Sequence, residues 1–200
     1  MQIVHLIRHG QNDYVKKGLL AGRLPGVHLN EKGRAEVAAL AEAMKDTPLK
    51  AVYSSPLDRA LETARIVARL HGLQVERRPN LIETALGDWE GKSVKRLSRE
   101  RRWRQLQENP SQFRFPGGEW MVEQQARLVK EVETLWARHK IKDHFAIIGH
   151  ADPLKLIVAH YLGLPLDLFQ RLAMDTASVS ALMIGEKGTK LLRLNWKPNK

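Results

Sequence analysis

An arginine and a histidine follow a short apolar segment near the start of the chain. Residues 3–7 read Ile-Val-His-Leu-Ile, which is typical of a buried strand, and Arg8, His9 and Gly10 come next. The glycine permits a sharp turn, so both side chains are delivered at a strand end, where open α/β sheets bind ligands. A guanidinium can hold a phosphate group while an imidazole attacks it. The alternative is a strand that merely ends in polar residues.

A second strand end carries another arginine. Residues 51–53 predict a strand, and Arg59 falls in the first turn of the helix that follows. We expect Pro56 in that first turn, with Ser55 as its cap. The helix dipole disfavours a cation at the start of a helix. A phosphate bound at this place would make the position favourable for an arginine.

A third strand end carries a second histidine. Residues 144–148 predict a strand, and His150 follows it directly. We expect Asp152 to cap the next helix and Pro153 to take its first position. Two arginines and two histidines at the carboxyl ends of predicted strands together favour a phosphate site over an incidental placement.

The motifs resemble those of the histidine phosphatase superfamily, the phosphoglycerate-mutase-like family, and in particular its phosphatase-type branch. The matching blocks, in order, are RHG at 8–10, SSPLDRALETA at 54–64, LIETALGDWEG at 81–91, PGGE at 116–119 and GH at 149–150. The resemblance extends from residue 3 to about residue 185. No single block is specific, but their combination and order are.

The resemblance implies a covalent mechanism. His9 would take the phosphoryl group onto a ring nitrogen, and a backbone carbonyl near Gly10 is expected to hold the proton on the other nitrogen. Glu83 would protonate the leaving oxygen and then activate water, which requires that burial or neighbouring charge raise its pKa. The residues that the resemblance assigns to catalysis are His9, Glu83, Arg8, Arg59 and His150.

Substrate binding is expected from a partly overlapping set of residues: Arg8, Asn12, Arg59, His150 and Ala151. The chain departs from the family pattern beside these positions. Val15 stands where an asparagine is common and cannot donate a hydrogen bond to phosphate, although Asn12 can. Ala151 stands where glycine is common, and Gly149 replaces a serine or threonine. These departures leave the choice of substrate open.

Alternating strand and helix patterns predict the fold class. We expect one α/β domain over residues 1–200, with three α/β/α layers, a mostly parallel central sheet and helices on both faces. The predicted helices cover residues 31–45, 119–139 with Val122 on its apolar side, and 153–162. Late strands at 178–184 and 190–195 would be joined by a hairpin through 185–188.

The expected activity is hydrolysis of a phosphomonoester, by a histidine acid-type phosphatase acting on a small anionic metabolite. Family mutases are longer chains whose insertions cover the site, and an open site lets water reach the phosphohistidine. Phosphoglycerate mutase-type transfer is the first alternative. The second is a non-catalytic adaptor or nucleic-acid-binding protein on the same fold. For Glu119 and Arg171, the sequence leaves open whether each residue has a structural role or lines the pocket.

The amino-acid composition excludes several kinds of site. The chain has 200 residues, a formal net charge of +11 and no cysteine, which excludes disulfides and thiolate metal sites. No metal-binding motif is visible, so neither a metal nor a cofactor is expected. No segment reaches the roughly 20 apolar residues that span a bilayer, and no signal peptide is visible, so a cytoplasmic location without membrane contact is expected.

A strongly basic segment lies between two of the motifs. Residues 92–104 contain seven lysines and arginines and one acid. The segment either attracts the anionic substrate or forms an ordinary solvated helix face. A small-molecule phosphate ester is the expected partner, nucleic acid is not favoured because no such module is recognisable, and a homodimer is left open.

Overall fold

Six strands form one sheet. The computed structural model describes residues 1–186 and 188–198. The strands are β1 (Gln2–Arg8), β2 (Leu49–Ser54), β3 (Val75–Arg77), β4 (His144–Gly149), β5 (Val179–Gly185) and β6 (Gly188–Trp196). They lie in the order β3-β2-β4-β1-β5-β6, and β5 alone runs against its neighbours. The predicted mostly parallel sheet is confirmed, and the carboxyl ends of β1, β2 and β4 meet at one edge.

Helices cover both faces of this sheet. They are α1 (Asp13–Lys17), α2 (Glu31–Ala43), α3 (Asp58–Leu70), α4 (Val94–Leu97), α5 (Arg101–Glu108), α6 (Met121–Trp136) and α7 (Ala151–Tyr161). Alternate strand residues face opposite layers. Ile7 and Ile148 pack with α2 and α3, whereas Leu6 and Ile147 pack with α6 and α7. The three-layer prediction is therefore confirmed. Within the described residues, no helix has the length and apolar character needed to cross a membrane.

The predicted helix starts were wrong at two positions. Helix α3 begins at Asp58 after Leu57, because Ser55 instead continues the strand pairing through a 3.0 Å hydrogen bond from its N–H to the Ile148 carbonyl. Helix α7 begins two residues earlier than expected, with His150 at its N-cap. Asp152 and Pro153 therefore lie inside the first turn.

Two further differences concern packing and pairing. Val122 is 43 % exposed, so it is not part of the apolar side of α6. The three-residue strand β3 was not predicted, since so short a segment carries little pattern. The hairpin between β5 and β6 includes residue 187, which lies outside the described residues.

Candidate active site

The sheet edge places two histidines side by side. His9 follows β1 and His150 follows β4, and in these neighbouring strands Arg8 pairs with Gly149. The two imidazole centroids are 5.2 Å apart. Both side chains are buried, at 3 % and 0 % exposure. Parallel pairing thus brings together the residues that the sequence placed at separate strand ends.

The turn after His9 fixes the orientation of its ring. The carbonyl oxygen of Gly10 lies 2.8 Å from His9 Nδ1, as the family resemblance implied. A Cβ at Gly10 would lie 2.5 Å from the Gly33 carbonyl oxygen in α2, so this turn requires glycine. Burial, together with Arg59 and Arg8, lowers the pKa of His9 well below its usual value. His9 is therefore neutral, with the proton on Nδ1 and a free electron pair on Nε2.

A buried arginine, Arg59, and a half-buried one, Arg8, lie beside this ring, and each has an unpartnered donor. Arg59 is 1 % exposed, and its Nη2 donates to the Gly22 carbonyl at 2.7 Å. Arg8 Nη1 donates to the Met174 carbonyl at 2.6 Å. Arg59 Nε, Arg59 Nη1 and Arg8 Nε have no hydrogen-bond partner among the described residues. Buried cationic donors without partners are unfavourable unless an anion binds them.

Two further buried nitrogens are unpartnered. His150 Nε2 lies 2.8 Å from the Ser55 hydroxyl, and its Nδ1 has no hydrogen bond within the described part of the chain. Asn12 is fully buried; its Oδ1 accepts from the Val15 N–H at 2.9 Å, while its Nδ2 has no partner there. The predicted residues thus supply an excess of donors around His9.

Glu83 places a carboxyl at the cavity wall. Its Oε1 accepts from the Thr84 N–H at 2.9 Å and its Oε2 lies 3.6 Å from His150 Nδ1. Burial raises the pKa of Glu83 to about 7, against the lowering effect of Arg59. A carboxyl that is protonated in half of the molecules near neutral pH can both donate and accept a proton.

A half-buried ion cluster holds the acid loop, residues 81–86. Glu119 Oε1 accepts from the Ala85 N–H at 2.9 Å and from Arg23 Nη2 and Arg127 Nη2, each at 3.1 Å. Arg23 Nε also donates to the Glu83 carbonyl at 2.7 Å. The sequence left Glu119 unresolved and missed both arginines; only the position of Glu119 in the PGGE block hinted at this role.

These residues surround one cavity of about 180 Å³. Its walls are formed by Arg8, His9, Asn12, Val15, Leu19, Leu20, Ala21, Gly22, Arg59, Glu83, Thr84, Leu86, Ala151 and Asp152. The cavity matches a phosphate group with a small organic part. All the predicted site residues line it except His150, whose Nδ1 lies 3.6 Å from Oε2 of the lining residue Glu83. Within 1–186 and 188–198, no group of three or more His, Asp or Glu side chains is placed to hold a metal ion.

The basic segment is attached to the cavity wall. The Lys92 carbonyl accepts from the Leu20 N–H at 2.9 Å, and the Val94 N–H donates to the Gly18 carbonyl at 2.9 Å. The seven cations of residues 92–104 are exposed, and none of them lines the cavity. The segment can therefore attract a substrate before it binds, but its charged side chains do not contact a substrate inside the cavity. Arg171 does not line the cavity either.

Comparison with known proteins agrees with this geometry. Over 91 residues, 46 % of this chain, an uncharacterized protein of Mycobacterium tuberculosis is 48 % identical, and the matched part spans 44 % of that protein. Phosphoserine phosphatase 1 of Hydrogenobacter thermophilus is 29 % identical over 195 residues, covering 95 % of this chain and 90 % of that protein.

Solved structures and family models extend the likeness to the whole chain. A mycobacterial glucosyl-3-phosphoglycerate phosphatase superposes with a TM-score of 0.89 at 26 % identity, covering 98 % of this chain and 99 % of that one. The model of the histidine phosphatase superfamily, branch 1, matches residues 4–197. The chain therefore belongs to the histidine phosphatase superfamily.

Proposed function

We propose that this protein hydrolyses a small anionic phosphomonoester through a phosphohistidine on His9. One observation carries the proposal: unpartnered donors of Arg8, Arg59 and Asn12 line a single cavity together with the neutral His9 and a protonatable carboxyl, and His150 lies beside His9. A phosphoryl group would satisfy these donors. The relatives named as phosphatases support the same chemistry.

The first half-reaction transfers the phosphoryl group. His9 Nε2 attacks phosphorus while the bond to the ester oxygen breaks, and Glu83 gives its proton to that oxygen. Arg8, Arg59 and His150 stabilise the charge on the phosphoryl oxygens.

The second half-reaction reverses the role of Glu83. The carboxylate takes a proton from water, the water oxygen bonds to phosphorus, and the N–P bond breaks to release phosphate.

Time-resolved phosphate release from a panel of phosphomonoesters tests the proposal. We expect release by the wild type, loss of release in His9→Ala, and unchanged release in His160→Ala, whose imidazole is exposed on α7. Acid-labile, alkali-stable labelling of the protein would identify the phosphohistidine. Interconversion of phosphoglycerates with a bisphosphate primer, without phosphate release, would instead support the mutase alternative. Neither activity would favour the adaptor.

The finer assignment is also part of the proposal. A nucleophilic histidine with a carboxyl proton donor is the chemistry of a histidine acid-type phosphatase, and each step uses groups of the chain itself. A cytoplasmic location, a small-molecule partner without nucleic acid, and a homodimer stay predictions.

A further inference from the structure

The cavity around His9 is cationic at one end only. Of its lining residues in the described part of the chain, Arg8 and Arg59 are the only arginines or lysines. Their unpartnered nitrogens lie beside His9, where the phosphoryl group would bind. A phosphoryl group would therefore occupy both cations, and no third one remains for a second anionic group.

The wall that faces the organic part of the substrate is apolar. It is formed by Val15, Leu19, Leu20, Ala21 and Leu86. A carboxylate or second phosphate placed against this wall would lose its hydration without gaining an ion pair or a hydrogen bond. Carbon atoms would lose no such hydration there. The wall therefore favours an alcohol part without negative charge.

Two cations near the cavity have other partners. Arg23 Nη2 is 3.1 Å from Glu119, and Lys155 Nζ is 3.3 Å from Asp152 and 3.0 Å from Gln170. Neither Arg23 nor Lys155 lines the cavity. These contacts hold both side chains, so neither supplies a cation to the cavity wall.

An acidic side chain stands at the cavity wall instead. Asp152 lies in the first turn of α7, lines the cavity and is 32 % exposed at its side chain. Its contact with Lys155 restricts where the carboxylate can lie. We propose, on the basis of the phosphatase activity proposed above, that the site selects phosphomonoesters whose alcohol part is uncharged or cationic. Asp152 is a specificity-determining residue that disfavours a carboxylate or a second phosphate.

A matched pair of substrates tests the inference. Glycerol 3-phosphate and 3-phosphoglycerate differ only by a hydroxymethyl group in place of a carboxylate. We expect kcat/KM for phosphate release to be at least about 10-fold higher for glycerol 3-phosphate, since like charges and unpaired buried anions are strongly unfavourable. Asp152→Asn should reduce this ratio at least about threefold. Asp46→Asn removes the same charge between α2 and β2, at the opposite edge of the sheet, and should leave the ratio unchanged.

The outcomes separate the inference from the proposed function. An equal or higher kcat/KM for 3-phosphoglycerate in the wild type would overturn the charge selection, and an unchanged ratio in Asp152→Asn would overturn the role of Asp152. Absence of His9-dependent release from every phosphomonoester of the panel, 4-nitrophenyl phosphate included, would overturn the phosphatase activity. Calorimetric titration of His9→Asn with the same pair still decides the charge preference of the cavity, because tighter binding of 3-phosphoglycerate contradicts it.

Discussion

Glu83 Oε2 and His150 Nδ1 lie 3.6 Å apart, and they do not form an ion pair because the imidazole is uncharged. Burial raises the pKa of Glu83 to about 7 and lowers that of His150 well below its usual value. Near neutral pH the imidazole is therefore uncharged, and a large share of the carboxyl retains its proton. The same burial that keeps His150 uncharged prepares Glu83 as a proton donor.

The first prediction concerns the pH dependence of hydrolysis. Because Glu83 must be protonated to release the alcohol, kcat/KM should fall as pH rises through about 7. Glu83→Gln should be much slower and should lack this decline. Steady-state rates between pH 5 and 9 measure both effects. A wild-type kcat/KM that rises above pH 7 would contradict Glu83 as the acid.

The second prediction concerns the stability cost of the same carboxyl. In the folded protein the pKa of Glu83 is raised from 4.5 to about 7, so folding favours its protonated form. The contribution of this carboxyl to the stability of the fold is therefore fully present below pH 4.5 and is lost as pH rises through 7. At pH 8, Glu83→Gln should exceed the wild type in free energy of unfolding by up to about 3 kcal/mol. Urea denaturation at pH 4.5 and 8 measures the difference. The exposed Glu108→Gln should show none.

The sequence predicted the parts of the site that depend on short segments. An apolar run followed by Arg8 and His9 predicts a strand end, and parallel pairing of β1 with β4 does bring His9 to His150. The Gly10 carbonyl was expected from the family resemblance, and the structure places it 2.8 Å from His9 Nδ1. In each case, neighbours in sequence or in adjacent strands determine the outcome.

Contacts between distant segments could not be predicted in the same way. Arg23 reaches the Glu83 carbonyl across 60 positions, and a backbone acceptor leaves no pattern in the sequence. Ser55 was expected to cap a helix, but its hydroxyl contacts His150, 95 positions away. A serine is a good cap in isolation, and only the tertiary structure shows the competing partner.

A third prediction concerns Arg59 as an electrostatic group. Arg59→Met removes two unpartnered donors from the cavity, and kcat/KM should fall about 10²- to 10³-fold. The same steady-state assay measures the loss. Arg65→Met removes an exposed arginine from the same helix and should change kcat/KM little. A loss in Arg65→Met as large as that in Arg59→Met would indicate a general charge effect.

A fourth prediction separates positioning from proton transfer. Glu119→Ala removes the shared acceptor of Arg23 and Arg127, so the acid loop should lose its fixed position. We expect kcat to fall about 10- to 100-fold with little change in KM, and the decline near pH 7 to shift. The exposed Glu123→Ala on α6 is the matched control. An unchanged pH profile in Glu119→Ala would leave the cluster with a structural role only.

A fifth prediction concerns acid stability away from the site. His5 Nε2 lies 3.2 Å from His144 Nδ1, and burial, with His144, Arg193 and His71 nearby, lowers the pKa of His5 to about 4. The stability due to neutral His5 is present above pH 6.5 and is lost as pH falls towards 4. The melting temperature of His5→Gln should therefore fall less than that of the wild type between pH 7 and pH 4.5. An equal loss in both proteins would contradict this contribution.

The cavity joins two kinds of structure that can be altered independently. His9 and His150 follow the strands of the rigid sheet, whereas the apolar wall belongs to the connections around Leu19, Leu20 and Leu86. An engineer could therefore exchange residues 15–21 and 86 between related chains and retarget the enzyme without rebuilding its reaction centre. The reaction centre and the substrate-binding wall are therefore separate parts of the structure, and the wall can be replaced while the centre is kept.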